Sequence, residues 1–488
     1  TLPAVKSGEL FEGYEAIGAI QFEKVTLQPD ESKSYTILIG ICNADEDADK
    51  IIAGFDNSEK VKSHLEQTIS YWNQKNNVSY HTADSNFDNF MRWVSFQPTL
   101  RRIYGCSFLP HHDYGRGGRG WRDLWQDCLA LLIMNPEGVK EMLINNFGGV
   151  RIDGTNATII GSSPGEFIAD RNNITRVWMD HGVWPCMTTK LYINQTGDIS
   201  VLLKETTYFK DRQVMRGTEA DDSWDPAKPP ILVDRHGYPY YGTILEHLLL
   251  QNITAFYEVG EHNHIRLRNA DWNDALDMAP DRGESVAFTA AYAANMDDLA
   301  DMISQLADRF NKDTIEIAKE MGILFVDDAN LYNDAGKKQQ LLDEYCRSCY
   351  SNISGEKIHI SCEKVIKSLK SKAQWIKNHI RESEWIEAAD NMGWFNGYYD
   401  NHGNKVEGWF NGNVRMMLTS QVFTIMSGTA TAKHVEQIIS AADKYLYDES
   451  IGGYRLNTNF HELKMDLGRM FGLPTGIKKT GRYFPIWP

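Results

Sequence analysis

Apolar residues recur at helical spacing along most of the chain from about residue 84 onward. The stretch DLWQDCLALLIM places four apolar residues on one helix face, namely Leu124, Cys128, Leu131 and Leu132. The same spacing predicts further helices at 136–149, 178–193, 199–209, 243–259, 287–310, 362–382 and 412–426. No strand pattern of comparable length separates them. The pattern therefore predicts a mainly α protein, arranged as an α/α toroid in which one ring of loops builds a concave site.

The beginning of the chain has a different pattern, in which apolar and polar positions alternate. Residues 13–41 contain two such runs, joined by a turn at Pro29–Asp30, and this predicts β-strands. Residues 43–76 are acidic with helical spacing and predict a linker. The chain starts without a methionine and ends on RYFPIWP. We therefore expect a chain that is truncated at both ends and begins within a β-domain.

The composition is that of a globular protein with an acidic surface. The chain has 488 residues, of which 42% are hydrophobic and 24% charged, and its formal net charge is −16. Nucleic acids and anionic membranes bind basic surfaces, so neither is an expected partner. No apolar run approaches the roughly 20 residues of a membrane span. TLPAVKSGEL also lacks the features of a signal peptide, so we expect a cytoplasmic protein.

The cysteines and histidines give no pattern typical of a metal or disulfide site. The odd number and scattered positions of the seven cysteines favour reduced thiols. Cys346, Cys349 and Cys362 could supply three zinc ligands, but no fourth ligand stands out, and we predict no metal. His181 is expected to be a hydrogen-bonded supporting residue. Known motifs for zinc proteases, calcium loops, nucleotide phosphates and serine nucleophiles do not occur.

The loop YGRGGRGWRDLWQD, residues 114–127, is the richest in polar and aromatic groups. Its arginines and aspartates, among them Arg116, Arg122, Asp123 and Asp127, supply planar donors and acceptors suited to a polyhydroxylated ring. Its tryptophans supply stacking faces. The alternative is a solvated loop in which Asp123 caps the following helix. The local sequence does not decide between these interpretations.

The stretch RNADWNDALD, residues 268–277, likewise combines acids, an indole and amides at the start of a helical segment. A helix has one cap position, so Asp271 and Asp274 cannot both be caps, and one carboxylate has another role. The segments 169–185, which contains Asp180, and 392–403 add aromatic and amide groups. Together these loops are typical of a sugar-binding cleft. Carboxylate chemistry on a carbohydrate is therefore the predicted function.

GRGGRGWRDLWQD and ADWNDALD together resemble the signature loops of the inverting β-glucoside phosphorylases of glycoside hydrolase family 94. The resemblance covers residues 84–478. It implies three parts: the end of an N-terminal β-sandwich at 1–43, a helical linker at 44–80, and an (α/α)6 catalytic barrel at 81–488 that is incomplete at its C-terminus. It also implies phosphorolysis of a β-linked disaccharide to an α-sugar 1-phosphate, with inorganic phosphate as co-substrate and no other cofactor. A homodimer is a further implication.

The same resemblance assigns roles to individual residues. Asp274, the second acid of DWND, matches the general acid. Substrate-binding positions are expected at Arg116, Arg122, Asp123, Asp127, Asp180 and Trp272. The indole of Trp272 is then a platform beside the proton donor, and Asp271 is a cap or supporting residue.

The chain also departs from the family pattern near its end. Lys479 and Thr480 stand where Glu and Asn are usual, and the family's later histidine is absent. Activity of this chain alone is therefore in question. Two alternatives stay open: an inverting hydrolase, which needs a second carboxylate roughly 6.5–9.5 Å from the acid, and a carbohydrate-binding remnant without turnover.

Overall fold

The structure is a computed structural model. It describes residues 21–40, 47–76, 78–104, 119–161, 163–169, 177–450 and 452–472. The chain divides into two compact units, residues 1–74 and residues 75–488.

The N-terminal unit contains a turn and two helices, α1 (Ala48–Ala53) and α2 (Ser58–Lys75). The predicted turn at Pro29–Asp30 is present, since the Glu31 N–H donates to the Gln28 carbonyl at 3.1 Å. The predicted strands are wrong for residues 21–40, which form no β-strand and are exposed. Two strands without a sheet to pack on are only marginally stable. Assignment of this segment to a β-sandwich remains a prediction.

The second unit is mainly helical, as predicted. Its helices are α3 (Ser85–Tyr104), α4 (Trp121–Met134), α5 (Val139–Phe147), α6 (Val183–Thr196), α7 (Ile244–Tyr257), α8 (Val286–Phe310), α9 (Ala329–Tyr332), α10 (Ala335–Ser348), α11 (Cys362–Ser383), α12 (Leu418–Met426) and α13 (Ala432–Tyr445). The four apolar positions singled out on α4 are all buried.

Short strands lie between these helices. They are β1 (Arg119–Gly120), β2 (Ile159–Ile160), β3 (Phe167–Ile168), β4 (Glu205–Thr207), β5 (Gln213–Val214), β6 (Glu219–Ala220), β7 (Tyr241–Thr243), β8 (Ile265–Arg266), β9 (Glu284–Ser285), β10 (Thr314–Ala318), β11 (Lys357–Ser361), β12 (Trp385–Ala388), β13 (Met392–Phe395), β14 (Tyr398–Tyr399), β15 (Gly408–Phe410), β16 (Asn413–Arg415), β17 (Tyr447–Asp448) and β18 (Gly453–Tyr454). They form two three-stranded sheets, β1-β2-β3 and β14-β9-β8, and six pairs, β4-β7, β5-β6, β10-β11, β12-β13, β15-β16 and β17-β18.

The core is centred on α7 and α8. Every residue of α7 is buried, and α8 packs against α6, α7, α11 and α12. Side chains cap the N-termini of both helices, because Thr243 accepts the Glu246 N–H and Ser285 accepts the Phe288 N–H. The N-terminus of α8 is therefore held firmly by its cap and by core packing. The loop at residues 268–277 precedes this helix in the chain.

Three predicted helices differ from the structure, and the one predicted at 178–193 begins only at Val183. Residues 199–209 form a short 3-10 helix, Ile199–Leu203, followed by β4, since Thr206 and Thr207 suit a strand that pairs with β7. The helix predicted at 412–426 begins only at Leu418. Asn411 and Gly412 before it have positive φ and form a hairpin turn between β15 and β16.

The cysteines considered as zinc ligands are buried in the core. Cys346, Cys349 and Cys362 are each at most 5% exposed and pack among apolar side chains. Within the described ranges, no cluster of three side chains could hold a metal ion. The same ranges contain no helix long and apolar enough to cross a membrane.

Lys372 on α11 is an unusual core residue because its ammonium is fully buried. Its Nζ donates to the Val326 carbonyl at 2.7 Å and to the Ser368 hydroxyl at 2.6 Å. Burial lowers the pKa of Lys372 to about 7, although Asp327 acts to raise it. The folded protein therefore disfavours the charged form of this side chain.

We expect Lys372→Met to alter how stability depends on pH. The ordinary lysine pKa is about 10.4, so between about pH 7 and pH 10 the unfolded chain binds a proton that the folded chain does not. The contribution of Lys372 to the free energy of unfolding thus rises with pH in this window. In urea unfolding, stability should change with pH more positively in wild type and in Lys370→Met, whose side chain is exposed, than in Lys372→Met. If the free energy of unfolding of Lys372→Met changed with pH as steeply as that of wild type, the lowered pKa of Lys372 in the folded protein would be contradicted.

Candidate active site

Three segments that are far apart in sequence meet at the guanidinium of Arg122. Its Nη1 donates to Oδ2 of Asp180 at 3.0 Å and to the backbone oxygen of Asp271 at 2.9 Å. Its Nη2 contacts Oδ1 of Asp274. We call these four residues the Arg122 cluster. The start of α4, the segment entering α6 and the loop before α8 each contribute to it.

The Arg122 guanidinium is nearly buried and lies beside an aromatic ring. Its side chain is 12% exposed, and its Cζ lies 4.9 Å from the ring centroid of Trp178. Burial alone would lower the pKa of Arg122, but the carboxylates of Asp180 and Asp274 outweigh it and raise the pKa. The cluster therefore contains a permanent cation.

Asp180 is fully buried, and the two groups that donate hydrogen bonds to it both reach the same carboxyl oxygen. Oδ2 accepts from Arg122 and from the indole Nε1 of Trp184, at 2.8 Å, one helical turn further on. Oδ1 is buried without a hydrogen-bond partner among the described residues. Arg122 is thus the cation that offsets the burial of this carboxyl group.

Two successive turns, each closed by a side chain, shape the loop that carries Asp274. Oδ1 of Asp271 accepts the Asn273 N–H at 2.8 Å, and Oδ1 of Asn273 accepts the Ala275 N–H at 3.2 Å. Residues 271, 273 and 275 are buried. Asp274 consequently faces outward, with 64% of its side chain exposed.

The end of this loop rests on the segment around residue 468. A Cβ atom on Gly468 would collide with the backbone of Ala275, so only glycine permits this approach. Next to it, Nε of Arg469 donates to Oδ2 of Asp277 at 2.5 Å. The loop is therefore held by Arg122 near its middle and by residues 468–469 near its end.

The two acids of the DWND motif have different surroundings. Asp271 is fully buried, and burial raises its pKa to about 7. Partial desolvation also raises the pKa of Asp274, and the nearby Asp180 adds to this, while Arg122 acts to lower it. Of the two acids, only Asp274 is accessible to a bound molecule, and its raised pKa is suited to a proton donor.

Of the remaining predicted residues, Arg116 lies outside the described residues, and Asp123 lies close enough to Arg122 and Asp274 to act on both electrostatically. Trp272 is half-buried and packs against the core. Asp127 is buried on α4. The alternative role of Asp123 as a helix cap is wrong, because α4 begins at residue 121 and Gly120 occupies the cap position. Asp123 lies instead in the first turn, where the helix dipole favours a carboxylate.

Sequence reasoning did not single out three residues that contact the Arg122 cluster, namely Trp178 beside Arg122, Trp184 on Asp180 and Ser285 on Asp271. The spacing of Asp180 and Trp184 by one helical turn was the available signal for one of them. His181 is buried and hydrogen-bonded, and a role in supporting the site stays a prediction. Its Nδ1 lies 3.0 Å from Nδ2 of Asn156, and burial lowers its pKa to about 3.

Comparisons with known proteins confirm the predicted resemblance to glycoside hydrolase family 94. Residues 348–485 match the family model described as the glycosyl hydrolase 94 superfamily catalytic domain. The chain is 22% identical over 463 residues to a solabiose phosphorylase of Paenibacillus borealis, covering 93% of this chain and 46% of that protein. It is 24% identical over 318 residues to a 3-O-beta-D-glucopyranosyl-beta-D-glucuronide phosphorylase of the same organism, covering 63% and 36%. The chain thus spans about half the length, or less, of these curated relatives.

We expect the Arg122–Asp180 pair to be strongly coupled in stability. Arg122→Met leaves a buried carboxylate without its cation and should lower the free energy of unfolding by about 3–5 kcal/mol. Adding Asp180→Asn removes that charge, so the double variant should lose less than the sum of the two single variants. Urea unfolding of the four proteins measures this coupling.

The exposed pair Arg212–Asp222 provides the matched control. Removing a cation at an exposed pair costs about 0–1 kcal/mol, so Arg212→Met should be nearly neutral. An Arg122→Met variant as stable as Arg212→Met would show that the cluster does not depend on its cation.

Proposed function

We propose that this chain carries the sugar-binding and proton-donating part of an inverting glycoside phosphorylase, with Asp274 as general acid. The observation that carries the proposal is the Arg122 cluster, which holds an accessible carboxyl of raised pKa beside a cation and an aromatic ring. The likeness to two phosphorylases supports it. In this proposal the helices of the second unit form most of an (α/α)6 toroid, and the cluster lies on its concave face.

In the proposed reaction Asp274 is the only carboxyl group that takes part directly. Its proton passes to the glycosidic oxygen while the bond from that oxygen to the anomeric carbon breaks. A phosphate oxygen attacks the anomeric carbon from the opposite face, which gives an α-sugar 1-phosphate. Phosphate takes the place of a water and its general base, so a second carboxylate is not required.

Two of the carboxyls near Asp274 are unsuited to the second role that hydrolysis requires. An inverting hydrolase activates water with a second carboxylate roughly 6.5–9.5 Å from the acid. Within the Arg122 cluster, Asp180 and Asp271 are both fully buried. Neither can contact a water molecule on the open side of the site, so neither is suited to be that base.

The substrate in this proposal is a β-linked gluco-disaccharide or oligosaccharide, with inorganic phosphate as co-substrate. Trp178 and Trp272 are both half-buried and offer apolar faces for a sugar ring. The Arg122 guanidinium supplies planar donors for hydroxyl oxygens. A homodimer and a cytoplasmic location remain predictions from the sequence, as does the absence of any other cofactor.

We expect sugar 1-phosphate release that requires phosphate. The chain is incubated with β-linked disaccharides, including solabiose and 3-O-β-D-glucopyranosyl-β-D-glucuronide, with and without inorganic phosphate. Asp274→Asn should abolish release but keep sugar binding, whereas Asp281→Asn, an exposed acid on a nearby turn, should leave release unchanged. Reducing sugar formed without phosphate would identify a hydrolase. Binding without any turnover would identify a carbohydrate-binding remnant.

The raised pKa of Asp274 predicts the pH dependence of kcat/KM. A proton donor acts only when protonated, so activity should fall as pH rises through a pKa above the ordinary aspartate value of about 3.9. The profile is measured between about pH 4 and pH 9 with a disaccharide and with dinitrophenyl β-glucoside. The second substrate has a leaving group that needs no proton, so its profile should lack this limb. If kcat/KM fell in the same way at high pH with both substrates, the fall would be assigned to a group other than Asp274.

A further inference from the structure

Asp271 lies in the loop that carries the candidate acid, three residues before Asp274. Its side chain is fully buried, so it cannot contact a sugar in the open site. Both of its carboxyl oxygens are nevertheless hydrogen-bonded, one to the loop and the other to a helix. A buried carboxyl group with these two attachments can control where the loop is held.

The attachment to the loop starts the two turns that expose Asp274. The Asn273 N–H donates to Oδ1 of Asp271 at 2.8 Å, and the Asn273 side chain then accepts the Ala275 N–H at 3.2 Å. Loss of the first turn frees the backbone on the N-terminal side of Asp274. The direction of the acid thus depends on the Asp271 carboxyl group.

The attachment to the helix passes through Ser285, which also caps α8. The Ser285 hydroxyl accepts the Phe288 N–H at 3.1 Å and donates its proton to Oδ2 of Asp271 at 2.9 Å. A hydroxyl has only one proton to donate, so this arrangement has a defined direction. It connects the loop to the N-terminus of the longest helix described.

The backbone of Asp271 is held by the Arg122 guanidinium. The carbonyl oxygen of Asp271 accepts from Arg122 Nη1 at 2.9 Å, and Nη2 of that guanidinium contacts Asp274. Asp271 is therefore fixed relative to α8 through its carboxyl group and relative to α4 through its carbonyl.

We propose that Asp271, together with Ser285, is a positioning residue that holds the proton donor Asp274 at a fixed distance from the sugar site. The inference rests on the proposed function, since it takes Asp274 as the acid. Catalysis is sensitive to such placement, because a displacement of about 1 Å can cost about 100-fold in rate. Sugar affinity should be little affected, because Asp271 and Ser285 do not contact the sugar.

The kinetic test uses four variants. Asp271→Asn and Ser285→Ala should lower kcat by roughly 10- to 100-fold, with KM within about threefold of wild type. Ser285→Thr keeps the hydroxyl and should restore kcat. Ser361→Ala removes the equivalent cap from α11, a helix that does not carry the loop, and should leave kcat unchanged. Wild-type kcat in Ser285→Ala, or an equal loss in Ser361→Ala, would overturn the proposal.

A second readout does not require turnover. The protein is labelled with 5-fluorotryptophan, and the 19F resonance of Trp272, within the loop, is assigned by its loss in Trp272→Phe. This resonance should shift in Asp271→Asn and Ser285→Ala but not in Ser285→Thr or Ser361→Ala. An unmoved resonance in both of the first two variants would overturn the positioning role. If wild type releases no sugar 1-phosphate, the proposed function fails, and the resonance alone decides whether Asp271 holds the loop.

Discussion

The arrangement of the candidate site depends on the burial of one positive charge, that of Arg122. A buried guanidinium is strongly destabilising unless negative groups and hydrogen-bond acceptors surround it. Asp180, Asp274 and the Asp271 carbonyl supply these acceptors. They come from segments that only a correctly folded core brings together. The charge therefore acts as a geometric restraint, because the folded state tolerates it only when all three segments are in place.

Ion pairs also hold both ends of the loop that carries the acid. At the loop's start, Arg268 has positive φ and pairs with the buried Glu258 at 2.6 Å. At its end, Asp277 accepts from Arg469. In the middle, Asp271 is held through hydrogen bonds alone. Replacing a buried pair such as Arg268–Glu258 with apolar residues is often neutral or stabilising, and a pair with an exposed partner, such as Arg469–Asp277, contributes little to stability. Their presence at both ends of one loop is better explained by the placement of that loop than by stability.

Much of the fold could be predicted from local patterns, whereas the contacts in the site could not. Helices α4, α7, α8 and α11 were predictable because burial imposes apolar periodicity over several turns. Strands β10 and β11 have five residues each, too few for alternation to stand out between long helices. Arg122 lies 58 residues from Asp180 and 152 from Asp274, so no local spacing links them. The composition of the three loops predicted a shared cleft and the resemblance gave these residues roles in it, but neither gave a signal for Ser285.

The Arg122 cluster places two opposing requirements on Asp274. Contact with a guanidinium favours the carboxylate, whereas a general acid must carry a proton. Partial desolvation and the neighbouring Asp180 already raise the pKa of Asp274 despite Arg122. A sugar that covered the exposed carboxyl group would remove more water from it and raise its pKa further. Hydroxyl oxygens that accepted hydrogen bonds from Arg122 would weaken the opposing contact. In the proposed function, substrate binding therefore favours the protonated form of Asp274 at the stage when the glycosidic oxygen needs a proton.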